Sequence, residues 1–144
     1  MTSTRERLLT EAERLFAERG FYGVSIAAVS TELGLTKQAL LHHFGSKEKL
    51  YAEVLKRISA RLSTLVAPTD SDIADPQQVL TDYLIRIAKN AREEPHQMSL
   101  LMRELLDNQE RADIVQSWFL GSFLKELIQM LKAINHWADA PDHV

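Results

Sequence analysis

Residues 25–44 of this 144-residue chain read SIAAVSTELGLTKQALLHHF, the pattern of a helix, a glycine turn and a second helix. Ser25 and Thr36 can each cap a helix, because a hydroxyl oxygen accepts a hydrogen bond from a backbone N–H of the first turn. Gly34 suits the turn between them, since glycine enters left-handed backbone conformations without a steric penalty. Apolar residues occupy the positions where the two helices would cross, namely Val29, Leu33, Leu35 and Leu40.

A unit of this kind can place its second helix in the major groove of DNA, and it is also typical of a plain helical hairpin in a bundle. Leu40 and Phe44 are expected to point inward, with Ala39 or His43 beside them. The outer face then carries Leu41 and the hydrogen-bond donors Lys37, Gln38 and His42. A DNA-reading helix requires such a face.

Helical signals continue along the whole chain, and no segment of useful length alternates with period two. Ser3-x-x-Glu6 is a capping box for a first helix, which Gly20 should end. The remaining predicted helices run from Ser46 to about Val66, from Asp75-Pro76 to Pro95, around Met98–Leu105, and from about Glu110 to Trp137. The sequence therefore predicts an all-α fold, with a three-helix helix-turn-helix head over residues 1–48 and a helical body over residues 49–144.

Charge is distributed unevenly along the chain, although the net charge is only −3. Residues 1–57 carry nine Lys/Arg and seven Asp/Glu, whereas residues 58–144 carry eight and thirteen. No acidic residue lies between Glu32 and Glu48, a stretch that contains Lys37 and Lys47. A DNA backbone would be attracted to this local patch and repelled by the acidic body, although chance unevenness gives the same pattern.

Several functional classes lack a candidate site. Neither a membrane-spanning run nor a signal peptide is recognisable, and the chain contains no cysteine. His42 and His43 are adjacent on a helix and point about 100° apart, with no third ligand spaced to join them. We therefore expect a cytoplasmic protein that is not an enzyme, binds no metal or cofactor, and has no membrane partner.

Residues 16–50, FAERGFYGVSIAAVSTELGLTKQALLHHFGSKEKL, resemble the DNA-binding head of the tetracycline-repressor (TetR) family. The similarity covers roughly residues 5–55. It includes Gly20 and Gly34, the cap at Ser25, the Leu40…His43-Phe44 core and the Ser46-Lys47 helix start. The resemblance implies a DNA-binding regulator with a variable helical body.

The same resemblance assigns roles to individual residues. The family's base contacts fall on Lys37 and Gln38, its phosphate contacts on Thr36 and His43, and the backbone-gripping lysine of helix four on Lys47. Most members have tyrosine where this chain has Leu41, so one phosphate contact is missing and Leu41 can instead meet a thymine methyl. The DNA-binding set expected overall is Ser25, Thr36, Lys37, Gln38, Leu41, His42, His43 and Lys47.

An effector pocket and a homodimer are also implied. The candidate pocket residues are aromatic or large apolar side chains of the body: Tyr83, Met98, Leu101, Met102, Trp118, Phe119 and Phe123. Ordinary core packing explains the same stripes. The family dimerises through C-terminal helices, and the present chain ends earlier than most members, as a natural short form or as a fragment.

These observations predict a transcriptional regulator, a repressor that binds a palindromic double-stranded operator and is released by an unidentified small hydrophobic effector. The alternative is a small helical protein-interaction module that has lost operator binding. Salt-dependent binding to duplex DNA distinguishes the two classes.

Overall fold

The computed structural model describes residues 3–66, 75–107 and 121–134, and within these ranges the chain is helical without a β-strand. Seven helices are described: α1 (Thr4–Arg19), α2 (Ile26–Glu32), α3 (Lys37–Phe44), α4 (Lys47–Val66), α5 (Pro76–Glu93), α6 (Pro95–Asp107) and α7 (Gly121–Ala133). The predicted all-α class is confirmed. Of the helix predicted over residues 110–137, α7 and Ile134 are described and the other residues lie outside the described ranges.

The helix starts lie where the capping residues predict them. The hydroxyl of Ser25 accepts a hydrogen bond from the N–H of Ala28 at 3.0 Å, and the hydroxyl of Thr36 accepts one from Ala39 at 3.2 Å. Between α2 and α3 the backbone of Gly34 has a φ of 64°. A Cβ added there would meet no described atom within 4 Å, so the turn requires glycine for its conformation rather than for space.

One continuous hydrophobic cluster joins the first four helices to α6. Phe16 of α1, Leu40 of α3 and Leu50 of α4 are fully buried in it, as is Leu100 of α6. Each such side chain contributes roughly 1.5–3 kcal/mol when fully buried. Because buried residues on both sides of position 48 share this cluster, a boundary between head and body at that position stays a prediction.

Helix α6 is attached to the end of α1 by hydrogen bonds as well as by apolar packing. Arg103 donates to the carbonyl oxygen of Ala17 at 2.9 Å and to that of Glu18 at 3.1 Å. Both carbonyls lie in the last turn of α1, where carbonyl oxygens lack partners within the helix. Helix α6 therefore caps the end of α1.

Helix α7 packs against α4 and α5. Among the described residues, no helix combines the length and apolar character needed to cross a lipid bilayer.

Candidate nucleic-acid interface

Helix α3 is held by two buried side chains and leaves its polar residues in solvent. Leu40 is fully buried and Phe44 is 6% exposed, which fixes the inner face of the helix against the core. The outer residues predicted to contact DNA are exposed, namely Thr36, Lys37, Gln38, His42 and His43. Leu41 differs from the expected outer position, because its side chain is half-buried. The sequence leaves open whether Ala39 or His43 lies beside the inner face. Ala39 is half-buried and His43 is exposed, so the neighbour of the inner face is Ala39.

The ammonium group of Lys47 lies at the start of α4, supported by an aromatic ring. Its Nζ is 4.3 Å from the ring centroid of Phe21, within the range of a cation–π interaction. The Phe21 ring in turn contacts Tyr51, with centroids 5.0 Å apart, and Phe16, with centroids 6.2 Å apart. Phe21 thereby connects the lysine to the core, which restricts the positions that the charge can take.

An open cleft brings three of the predicted residues together. Ser25, Lys37 and Lys47 line it, and the corner between α1 and α2 adds Arg19 and Tyr22. Sequence reasoning missed these last two residues. A polar residue and an aromatic residue beside a glycine corner are the signals that could have drawn attention to them.

Gln38, His42 and His43 do not line that cleft, and they lie further along the exposed side of α3. The rings of His42 and His43 are 6.0 Å apart between centroids. Across the described parts of the chain, no group of three or more His, Cys, Asp or Glu side chains is placed to hold a metal ion.

The residues predicted to line an effector pocket occupy different environments. Tyr83 is fully buried, and burial raises its pKa to about 12, with the Glu126 carboxylate adding to the shift. Leu101 is buried in the main core, whereas Met102 is 46% exposed. Met98 is half-buried. Trp118 and Phe119 lie outside the described residues, and nothing is described of the Phe123 side chain, so the pocket stays a prediction.

Comparison with known proteins identifies the family of the helix-turn-helix head. Residues 8–54 match the family model described as bacterial regulatory proteins, tetR family. These residues contain the helix-turn-helix, the cleft and most of the buried cluster. Residues 8–54 therefore form a DNA-binding head of the TetR type. The resemblance noted from residues 16–50 is thus confirmed.

Sequence similarity to individual repressors extends over more of the chain than residues 8–54. The HTH-type transcriptional repressor NicS of Pseudomonas putida is 33% identical over 103 residues, covering 72% of this chain and 49% of the repressor. The repressor AcnR of Corynebacterium efficiens is 29% identical over 102 residues, covering 65% of this chain and 53% of the repressor. The chain therefore spans about half the length of these two relatives. Both are named as regulators rather than enzymes, in agreement with the expectation from sequence.

Solved structures support the fold over a larger share of the chain. The hemolysin II transcriptional regulator HlyIIR superposes with a TM-score of 0.76 at 26% identity, covering 94% of this chain and 74% of that one. A TetR-like regulator from Rhodococcus sp. RHA1 superposes with a TM-score of 0.78 at 20% identity, covering 96% and 75%. The likeness in fold thus covers more of the chain than residues 8–54.

Proposed function

We propose that this protein is a transcriptional repressor that binds a palindromic DNA operator through α3. The observation that carries the proposal is the exposed first turn of α3, where Lys37 and Gln38 face solvent beside the cleft that contains Lys47. A TetR-type head with hydrogen-bond donors on the exposed face of α3 has the chemistry that reading base edges requires.

In the proposed complex, α3 lies in the major groove. Gln38 donates to and accepts from adenine, and Lys37 donates to guanine O6 or N7. Lys47 neutralises a phosphate from the start of α4, where the positive end of the helix dipole adds to its charge. The exposed part of the half-buried Leu41 side chain packs against a thymine methyl. The exposed His42 is a further donor on α3, and His43 donates to a phosphate oxygen.

Ser25 and Thr36 can contribute to the backbone contacts while they cap their helices. Each hydroxyl oxygen already accepts a hydrogen bond from a backbone N–H, which leaves its own O–H free to donate. A phosphate oxygen is a suitable acceptor for that proton. The two caps would thus fix the register of the head on the duplex.

The proposed release mechanism places a small hydrophobic effector in the helical body of a cytoplasmic homodimer. An effector can shift the protein away from DNA only if it binds the released conformation more tightly. The Arg103 hydrogen bonds to α1 and the burial of Leu100 in the shared core are contacts through which a displacement of α6 would reach the head.

Enrichment of genomic fragments on the purified protein, followed by footprinting, tests the proposal. We expect protection of an inverted repeat and a linear fall of log K with log salt concentration. A Lys37→Ala/Gln38→Ala double variant should retain binding to mixed-sequence DNA and lose the preference for the enriched sites. At about 50 mM salt, phosphate contacts are stronger than at physiological salt, so absence of binding to any duplex there would favour the interaction module instead.

A further inference from the structure

The corner between α1 and α2 carries an exposed aromatic side chain next to the cationic cleft. The Tyr22 side chain is 84% exposed, and it lines the cleft together with Arg19, Lys37 and Lys47. We propose that Tyr22 and Arg19 form an additional DNA-backbone contact, in which the phenol donates to a phosphate oxygen and the guanidinium neutralises the phosphate charge. The proposal rests on the DNA-binding function proposed above and names further residues of that interface.

The position of Tyr22 follows from a tight backbone corner. A Cβ added at Gly23 would lie 2.2 Å from the carbonyl oxygen of Arg19, so the chain passes too close to the end of α1 for any side chain there. The corner leaves Tyr22 on the surface while its neighbour Phe21 is half-buried. An exposed tyrosine is unremarkable alone, but this one lies among three cations.

Phe21 supports both the phenol and the ammonium group. Its ring contacts the Tyr22 ring edge to face, with centroids 5.3 Å apart and planes inclined by 82°. The same ring lies 4.3 Å from the Nζ of Lys47. One ring anchored in the core therefore positions a neutral donor and a positive charge, which reduces the entropy lost when both bind a ligand.

The chemistry of the cleft favours the DNA backbone as the ligand. It offers cations and a phenol O–H, whereas none of the described residues that line it is acidic. Lys37 belongs to both the cleft and the first turn of α3, so a duplex read by α3 would pass next to this surface. The chain has Leu41 where the family usually has tyrosine, and Tyr22, which lines the cleft, can supply a phosphate hydroxyl contact.

Binding to a labelled duplex of mixed sequence, about three helical turns long, tests the inference without knowledge of the operator. Tyr22→Phe removes only the hydroxyl, and we expect affinity to fall about 3- to 10-fold with an unchanged salt slope. Arg19→Ala should reduce the salt slope by about one unit. Tyr22→Lys places a positive charge at the same point and should steepen the slope by about one unit.

Arg92→Ala is the matched control, because Arg92 is an exposed arginine on α5 of the body. It should bind like the parent protein. If the parent protein binds no duplex, the proposed function fails and the inference fails with it. If the parent binds while Tyr22→Phe retains its affinity and Tyr22→Lys its salt slope, the function stands and the Tyr22 contact is wrong.

Discussion

The phenol of Tyr51 on α4 donates a hydrogen bond to the carboxylate of Glu104 on α6, and both residues are buried. The two positions are 53 residues apart in sequence. Next to Glu104, Arg103 holds the end of α1. Two adjacent residues of α6 therefore bind α1 and α4. These two helices pack against α2 and α3, respectively, which form the helix-turn-helix.

Removal of the Tyr51 hydroxyl should destabilise the protein. Tyr51→Phe keeps the ring that contacts Phe16 and Phe21, but it takes one hydrogen bond from the buried Glu104 carboxylate. A buried charged group that loses a partner costs about 1–3 kcal/mol in the free energy of unfolding. Urea denaturation measures the difference. Tyr22→Phe is the control, since its exposed hydroxyl should change stability by less than about 0.5 kcal/mol. Equal urea midpoints for the two variants would contradict this role of Tyr51.

The carboxylate of Glu13 should contribute more than an exposed carboxylate does. Its side chain is 7% exposed, and its oxygens lie 2.7 Å from Arg57 and 3.1 Å from Arg61. Glu13→Ala leaves the guanidinium of Arg57 partly buried without this partner, and we expect a loss of roughly 3 kcal/mol. The control is Glu53→Ala, which breaks an exposed ion pair with Arg5 and should cost less than about 1 kcal/mol. Similar thermal midpoints for Glu13→Ala and Glu53→Ala would refute this ranking.

The helices and their ends could be predicted from sequence because capping and periodicity depend on neighbouring residues. Ser25, Thr36 and Gly34 each act through a few adjacent backbone groups, and the structure has them as predicted. The partners of Glu104 and Glu13 could not be predicted, since both sets of contacts join residues that are 44 or more positions apart in the sequence. The cleft was missed for the same reason, because its lining residues come from all four of the helices α1 to α4 and from the corner between α1 and α2.

The base-reading role of Gln38 predicts a loss of specificity rather than a general loss of affinity. Gln38 is exposed on the first turn of α3, where its amide can pair with adenine. Gln38→Ala should cost about 1–3 kcal/mol at one operator position and relax the preference there. Binding to a set of single-base operator variants measures this change. An equal loss on operator and mixed-sequence DNA would show that Gln38 does not read bases.

The phosphate role of Lys47 predicts the opposite pattern. Lys47→Ala should weaken binding to all duplexes alike and reduce the salt slope by about one unit, because one fewer counterion is released. Lys89→Ala is the matched control, since Lys89 is an exposed lysine on α5 of the body. The measurement is affinity across a salt series. A Lys47→Ala slope equal to that of Lys89→Ala would rule out a phosphate contact.

The active species should be a homodimer that joins two heads across a two-fold axis. A single head presents the eight residues of α3 to one major groove, and single modules of that size lie at the small end of specific protein–DNA interfaces. Two heads would read an inverted repeat with recognition helices about 34–36 Å apart, or a multiple of that distance.

Helix α7 is where we expect the two copies to meet. It packs against α4 and α5, yet four of its apolar side chains remain partly exposed, namely Leu127, Ile128, Met130 and Leu131. A helix that is apolar around much of its circumference is normally buried on several sides, so a second copy would complete its burial. Sedimentation at micromolar concentration should give the dimer mass, with dissociation on dilution. A stable monomer that still protects both halves of an inverted repeat would refute the dimer. One head cannot occupy two half-sites, so two copies would then have bound their half-sites independently.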